Sequence, residues 1–330
     1  MLRCAGMKSY LAIETSCDET AAAIVADGRK VLSNVVLSQI DVHQKFGGVV
    51  PEVAARHHLE AINQVIAAAI DQSGLAPAEL SGVAFTQGPG LIGTLLTGAS
   101  AAKAYAWSYD LPLLAVDHLL AHVCANYIDS DLEPPFIALL VSGGHTQIIY
   151  FASYTDGRII GQTIDDASGE AYDKVARLLG LGYPGGPAID KLAQIGNAAA
   201  FRFPEGNVAG YNFSFSGLKT AVLRTVEKLT PPLPQADLAA CFQDAVTRVL
   251  VRKTIAACQE FGAPRIVLAG GVAANRTLRR KFEELAPVPV YSPAMEFCTD
   301  NAAMVAAAAF FCGKLVGLDA SVYSRQRHVD

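Results

Sequence analysis

The chain has 330 residues, of which 52% are hydrophobic and only 17% charged; this excludes intrinsic disorder, and at about 150 residues per domain it predicts two lobes. Its 26 Lys and Arg against 31 Asp and Glu leave a net charge of −5, which argues against a protein that grips nucleic acid unaided, though not against a local basic patch or a helping partner. The longest wholly apolar run, 302–312, is 11 residues, well short of the ~20 that span a bilayer, so no membrane association is expected.

The first seven residues hold no apolar core of a signal peptide, and strand-like sequence begins only at Ser9, so Met1 and Met7 are both candidate starts. The seven cysteines are dispersed and form no CxxC pair. Neither a disulfide framework nor a zinc ribbon is indicated, and the reducing cytoplasm is the expected compartment.

In chain order, 10–14 and 20–25 read as a strand and its return strand, joined by the polar turn Thr15-Ser-Cys-Asp-Glu19. Asp18 and Glu19 in that turn are equally readable as ordinary turn residues. An amphipathic helix follows over 52–72, with Leu59, Ile62, Ile66 and Ala69 on one face. Residues 83–90 form a strand running into a glycine turn, a small-residue helix over 91–105 and a further strand over 112–116.

His118 and His122 come next, at i and i+4. On a helix these side chains stack on one face and can share a metal ion. The zinc-protease pattern needs Glu directly after the first histidine, and Leu119 stands there. Spacing alone leaves metal binding and two ordinary helix histidines equally open.

A second strand–turn–strand begins at 136. Its strands are 136–141 and 146–150, and its turn, Ser142-Gly143-Gly144-His145, offers backbone amides to an anion. A long helix over 237–261 buries Leu238, Phe242, Ala245 and Val249. A strand from 265 then meets a second glycine turn at Gly270 and Gly271, a helix over 274–285 and a last strand over 288–291. This order repeats that of the first half, so the chain reads as a duplicated α/β lobe. Ser16 to Gly88 spans 72 positions whereas Ser142 to Gly270 spans 128, which predicts an insertion at about 152–230. The expected lobes are 8–120 and 121–330. The final helix, 299–312, carries Asp300 in its first turn; a dipole-satisfying acid and a third metal ligand are both open readings.

The strings ETSCDET, GGVVPEVAARHH, TQGPGLIGTLLTG, DHLLAH, LVSGGHTQ, GEAYDKVARLLGLGYPGGPAID, FSFSGLKTAV, GGVAANRTLR and CTDNAAM, taken together, resemble the bacterial TsaD family of tRNA N6-threonylcarbamoyladenosine transferases. The resemblance covers about 10–316. It implies the two-lobed actin-like fold of the sugar kinase, Hsp70 and actin superfamily, with two ribonuclease H-like α/β lobes. It also implies transfer of threonylcarbamoyl from threonylcarbamoyl-AMP to N6 of the adenosine beside the anticodon, position 37, in tRNAs reading codons that begin with adenine, with release of AMP.

Carried over motif by motif, the resemblance makes His118, His122 and Asp300 ligands of one divalent metal, Fe2+ first and Zn2+ as the alternative. Val141, Ser142, Gly143, Gly144 and His145 would line the donor adenylate. Asp173 would take its ribose, Gly186 and Asp190 would shape the same wall, and Asn275 would meet the nucleotide at a helix start. Asp18 and Glu19 would serve catalysis. The implied partners are tRNA, a TsaB-like paralogue docking on the first lobe, a TsaE-like ATPase and a separate donor synthase. For the docking face, Ile62 and Ile66 are candidates if exposed. The rival readings are an ATP-driven actin- or Hsp70-like switch, a small-molecule kinase and a metalloendopeptidase. The last lacks its base.

Overall fold

The computed structural model describes residues 6–206 and 208–325. The chain opens with three antiparallel strands, β1 (Ser9–Glu14), β2 (Glu19–Ala26) and β3 (Lys30–Ser38). A short helix α1 (Ile40–Gln44) and a long helix α2 (Pro51–Ser73) follow. Proline at the first position of α2 costs no hydrogen bond, and Gly74 ends the helix at φ 70°. Strand β4 (Gly82–Gly88), helix α3 (Ile92–Ser108), strand β5 (Leu113–Asp117) and helix α4 (His118–Cys124) complete this stretch.

The second stretch repeats the pattern with β6 (Phe136–Val141), β7 (Thr146–Phe151) and β8 (Gly157–Gln162). Helices α5 (Ser168–Leu178), α6 (Gly185–Ala193), α7 (Ser216–Val226) and α8 (Gln235–Glu260) come before strand β9 (Ile266–Ala269). Helix α9 (Arg276–Leu285) and the two-residue β10 (Val290–Tyr291) then precede α10 (Ala302–Cys312) and β11 (Lys314–Val316).

The two sheets have the same plan. One runs β11-β5-β4-β1-β2-β3 and the other β10-β9-β6-β7-β8. In each, the hairpin's first strand pairs in parallel with the strand that precedes the glycine turn, β1 with β4 and β6 with β9. The duplication read from the sequence is therefore a duplication of topology, and the fold is the mixed α/β class expected.

The lobe boundary is corrected. The compact units are residues 1–132 with 299–330, and 133–298, not 8–120 and 121–330. The return has a packing cause. All residues of α10 from Ala302 to Ala309 are buried, mostly as alanine. A helix apolar all round needs cover on every side, and small side chains let this one lie close on β1, β2 and α4. Strand β11 then extends the first sheet by pairing with β5. The insertion also starts later than 152, because β8 is a strand of the second sheet, paired with β7.

The first unit's core includes Leu11, Ile13, Ile24, Val83 and Phe85 from its sheet under Ile62, Val65 and Ile66 of α2. The second packs Ile137, Leu139 and Leu268 against Leu238, Phe242, Ala245 and Val249 of α8, the face predicted for that helix. On α2 the prediction divides: Ile62 and Ile66 are buried, so neither can meet a partner, whereas Leu59 is 65% exposed. No helix among the described residues is long and apolar enough to cross a membrane.

Candidate functional site

In the first unit the histidines are placed by the junction of β5 and α4. Asp117 ends the strand, and its Oδ1 accepts from the amides of Leu119 and Leu120 at 2.9 and 3.0 Å. This cap starts the helix at His118. The same carboxylate accepts from the Tyr323 hydroxyl at 2.8 Å. Four residues on, His122 lies beside His118 with ring centroids 4.7 Å apart.

Asp300 arrives from the chain's return, just before Asn301 caps α10 through the Met304 amide. Its Oδ1 stands 3.7 Å from Nε2 of His118 and 3.2 Å from Nε2 of His122. One donor atom from each of the three residues lies within 4.8 Å of the others. The structure thus joins residues that the sequence separates by 182 positions.

The donor set fits a metal ion on the protein's own evidence. His122 is 2% exposed, and neither ring nitrogen makes a hydrogen bond; its Nε2 is near Asp300 without being aligned as a donor to it. Buried polar nitrogens without hydrogen-bond partners are costly, and a metal ion at this position would satisfy Nε2. Two imidazoles and a carboxylate suit Fe2+ or Zn2+ with open positions. The electrostatics favour a cation there. Burial would lower the pKa of His118, but Asp300 and Glu14 override it and push it up to about 9. Burial would likewise raise Asp300, yet His118 and then His122 draw it down to about 2.

The carboxylate turn after β1 is anchored on two sides. Leu91 donates its amide to the Ser16 carbonyl at 2.8 Å, and Thr15 donates its hydroxyl to the Thr94 carbonyl at 2.8 Å. From α2, the buried His58 lies 2.9 Å from the Cys17 carbonyl through Nε2 and 2.7 Å from the Thr20 hydroxyl through Nδ1. Burial lowers the pKa of His58, so the neutral ring donates to the carbonyl and accepts from the hydroxyl. Asp18 is buried in this turn. Burial, then Asp300 and Asp18, raise the pKa of Glu19 to about 9.

Sequence reasoning missed Glu14, the last residue of β1. It is fully buried and accepts from the Ser16 amide and the Thr86 hydroxyl, with Nδ1 of His118 3.2 Å from Oε2. Burial pushes its pKa up, but the neighbouring His118 wins and holds it below the usual value. The available signal was an acid at the end of an otherwise apolar strand.

In the second unit, three backbone segments meet at the carboxyl ends of β6 and β9. The Ser142 amide donates to the His145 carbonyl at 2.8 Å, closing the hairpin turn. The amide of Gly169, in the first turn of α5, donates to the Ser142 carbonyl at 3.2 Å. Gly270, at φ +87°, lies so close to β6 that an added Cβ would sit 2.4 Å from the Val141 carbonyl oxygen. At Gly143 and Gly144 an added Cβ would meet nothing within 4 Å. That side of the turn is open to an approaching ligand. Strand carboxyl ends are also where open α/β sheets place ligands.

The other predicted residues lie in this unit but are partly engaged. Asp173 accepts from the Gly185 amide at 2.8 Å, tying α5 to the first turn of α6 beside Gly186, and burial raises its pKa. Asp190 accepts from the Gln243 side chain at 3.2 Å. Asn275 is also engaged by the protein. Its Oδ1 caps α9 through the Leu278 amide and its Nδ2 donates to Gln243 at 2.7 Å, so the side chain serves the helix start. Gln243, buried on α8, joins Asp190 to Asn275 and was not singled out from the sequence. Several basic side chains are engaged within the unit. Arg248 and Arg252 pair with Glu205, Lys253 donates to three loop carbonyls, and Lys281 pairs with Asp244.

Comparison with known proteins agrees with both units. Residues 30–307 match the family model of the tRNA N6-adenosine threonylcarbamoyltransferases. A protein of that name from Cyanothece sp. is 55% identical over 316 residues, covering 92% of this chain and 91% of its own. One from Thermosipho africanus is 53% identical over 307 residues, covering 91% and 93%. Among solved structures, HypF from T. kodakarensis aligns with TM-score 0.64 at 18% identity, over 92% of this chain and 48% of its own. Component A of the Acidaminococcus fermentans (R)-2-hydroxyglutaryl-CoA dehydratase aligns at 0.53 and 14%, over 92% and 97%. The last two speak for the fold alone, the two-lobed actin-like architecture.

Proposed function

Because the chain belongs to the tRNA N6-adenosine threonylcarbamoyltransferase family, we propose that it transfers threonylcarbamoyl from threonylcarbamoyl-AMP to N6 of adenosine 37 in tRNAs reading codons that begin with adenine. The observation that carries this reading is the family match over 30–307, which runs through both units. In the reaction the adenine amine attacks the carbamoyl carbon, a C–N bond forms, the C–O bond to phosphate breaks, and AMP leaves. The amine is a weak nucleophile, so the protein's task is to orient an already activated donor and to stabilise developing charge.

The amides of Gly143 and Gly144 hold the phosphate, and Val141, Asp173, Gly186 and Asp190 line the nucleoside. His118, His122 and Asp300 would hold Fe2+, or alternatively Zn2+, which when bound would supply Lewis-acid polarisation. Asp18 is the acceptor for the amine's proton, and Glu19 stands beside it in the same turn.

A protein of net charge −5 has little long-range attraction for tRNA. We therefore assign turnover to an assembly in the cytoplasm: this chain, a TsaB-like paralogue on the first unit, a TsaE-like ATPase and a separate donor synthase. Exposed Leu59 of α2 and Leu96 of α3 are the apolar contacts offered to the paralogue. Transfer of labelled threonine to tRNA should be low with this chain and the synthase, and restored when the other two proteins are added. Leu59→Asp should weaken paralogue binding at least tenfold with the melting temperature unchanged. Ile66→Asp, at a fully buried position, should unfold the unit. Full multiple turnover by the chain and synthase alone would refute the assembly.

A further inference from the structure

Glu is almost never fully buried unless it is paired, and Glu14 is 0% exposed at the end of a strand whose other residues are mostly apolar. Burying a carboxylate costs several kcal/mol before its contacts repay any of it. An apolar or amide side chain would finish β1 at lower cost. The three groups around the carboxylate show what it does. Oε1 accepts from the Ser16 amide, in the turn that carries Asp18; Oε2 accepts from Thr86 on β4 and lies 3.2 Å from Nδ1 of His118.

The other ring nitrogen, Nε2, points to the opposite side, 3.7 Å from Asp300 Oδ1 in the ligand cluster. A neutral imidazole has one donor nitrogen and one acceptor. A carboxylate facing Nδ1 keeps the proton there and leaves the lone pair on Nε2, where a ligand needs it. The Ser16 hydroxyl is also 3.2 Å from Nδ1 and could donate or accept. Donation would leave the Nδ1 lone pair opposing the Glu14 oxygen, so the carboxylate decides.

We propose that Glu14 is the positioning residue of the metal centre: it sets the tautomer and ring orientation of His118 and ties them to the turn bearing Asp18. The proposal rests on the metal reading above. It is distinct from that reading, because Glu14 itself contributes no ligand atom.

Glu14→Gln is the sharpest test. The amide oxygen can satisfy Ser16 or Thr86, but an NH2 facing Nδ1 forces the proton to Nε2. Zinc affinity, measured by competition with a chromophoric chelator, should fall about 10–100-fold. Nitrogen-15 NMR of the zinc-loaded wild type should show His118 bound through Nε2 with a proton on Nδ1, a signature lost in the variant. Thr86→Val removes another Glu14 contact and should lower the melting temperature while keeping zinc affinity within about threefold. Should Glu14→Gln not fold, Glu14→Asp decides: the carboxylate is drawn back by one methylene, and zinc affinity falls with the fold retained.

Wild-type zinc affinity and tautomer in a folded Glu14 variant would overturn the proposal. His122→Ala separates the two readings. If it too keeps zinc, the metal reading has failed; if it alone loses zinc, only the Glu14 proposal has.

Discussion

His122→Ala should leave the protein folded and without its metal. The imidazole faces Asp300 at 3.2 Å, and His118 stays beside that carboxylate, so the melting temperature should move by only a few degrees. Metal content, read by elemental analysis after purification, should fall from one equivalent to near zero. Transfer activity should drop more than about 100-fold, beyond the range of an outer-shell change. His118→Ala should differ in a specific way. It also empties the ligand position, but it removes a neighbour of the buried Glu14 carboxylate. A buried charge that loses a partner costs about 1–3 kcal/mol or more, so this variant should lose both metal and several degrees of stability. Unchanged metal content in both variants would remove the site.

The second large effect belongs to the glycine turn of the other unit. Gly144→Val places a branched side chain in the open space beside the turn's amides. The fold has no reason to object, because a Cβ there meets nothing. A phosphate approaching those amides does. Affinity for the adenylate should fall at least about 100-fold, close to 3 kcal/mol, with metal content and melting temperature unchanged. Gly270→Ala is the necessary contrast. At φ 87° and ψ 169°, a region essentially reserved for glycine, an L-residue costs about 1–3 kcal/mol, and its Cβ would sit 2.4 Å from the Val141 carbonyl oxygen. That variant should melt earlier and lose adenylate binding as a consequence. Wild-type adenylate affinity in Gly144→Val would take the hairpin turn out of the site.

Much of the fold was legible in the residues because its signals are local. Strand–turn–strand alternation, glycines ending β4 and following β9, and the stripe on α8 all depend on neighbours within a few positions. The i, i+4 spacing of His118 and His122 is of the same kind, since a helix makes it a shared face. The duplicated order of elements, read from the sequence, became the same strand order in both sheets.

What only the tertiary structure decided involves contacts far apart in the chain. Nothing near Asp300 tells that α10 returns to the first sheet; its alanines do so by fitting close against β1, β2 and α4. Glu14 reads as a strand's polar end until Thr86 and His118, 72 and 104 positions away, surround it. The periodicity of α2 put Leu59 with Ile62 and Ile66, yet the sheet covers the latter two and leaves Leu59 in solvent. Asn275 looked available for a nucleotide because the partner that occupies it, Gln243, sits on another helix. Pattern fixes which residues share a face, whereas burial and pairing depend on what the rest of the chain brings to that face.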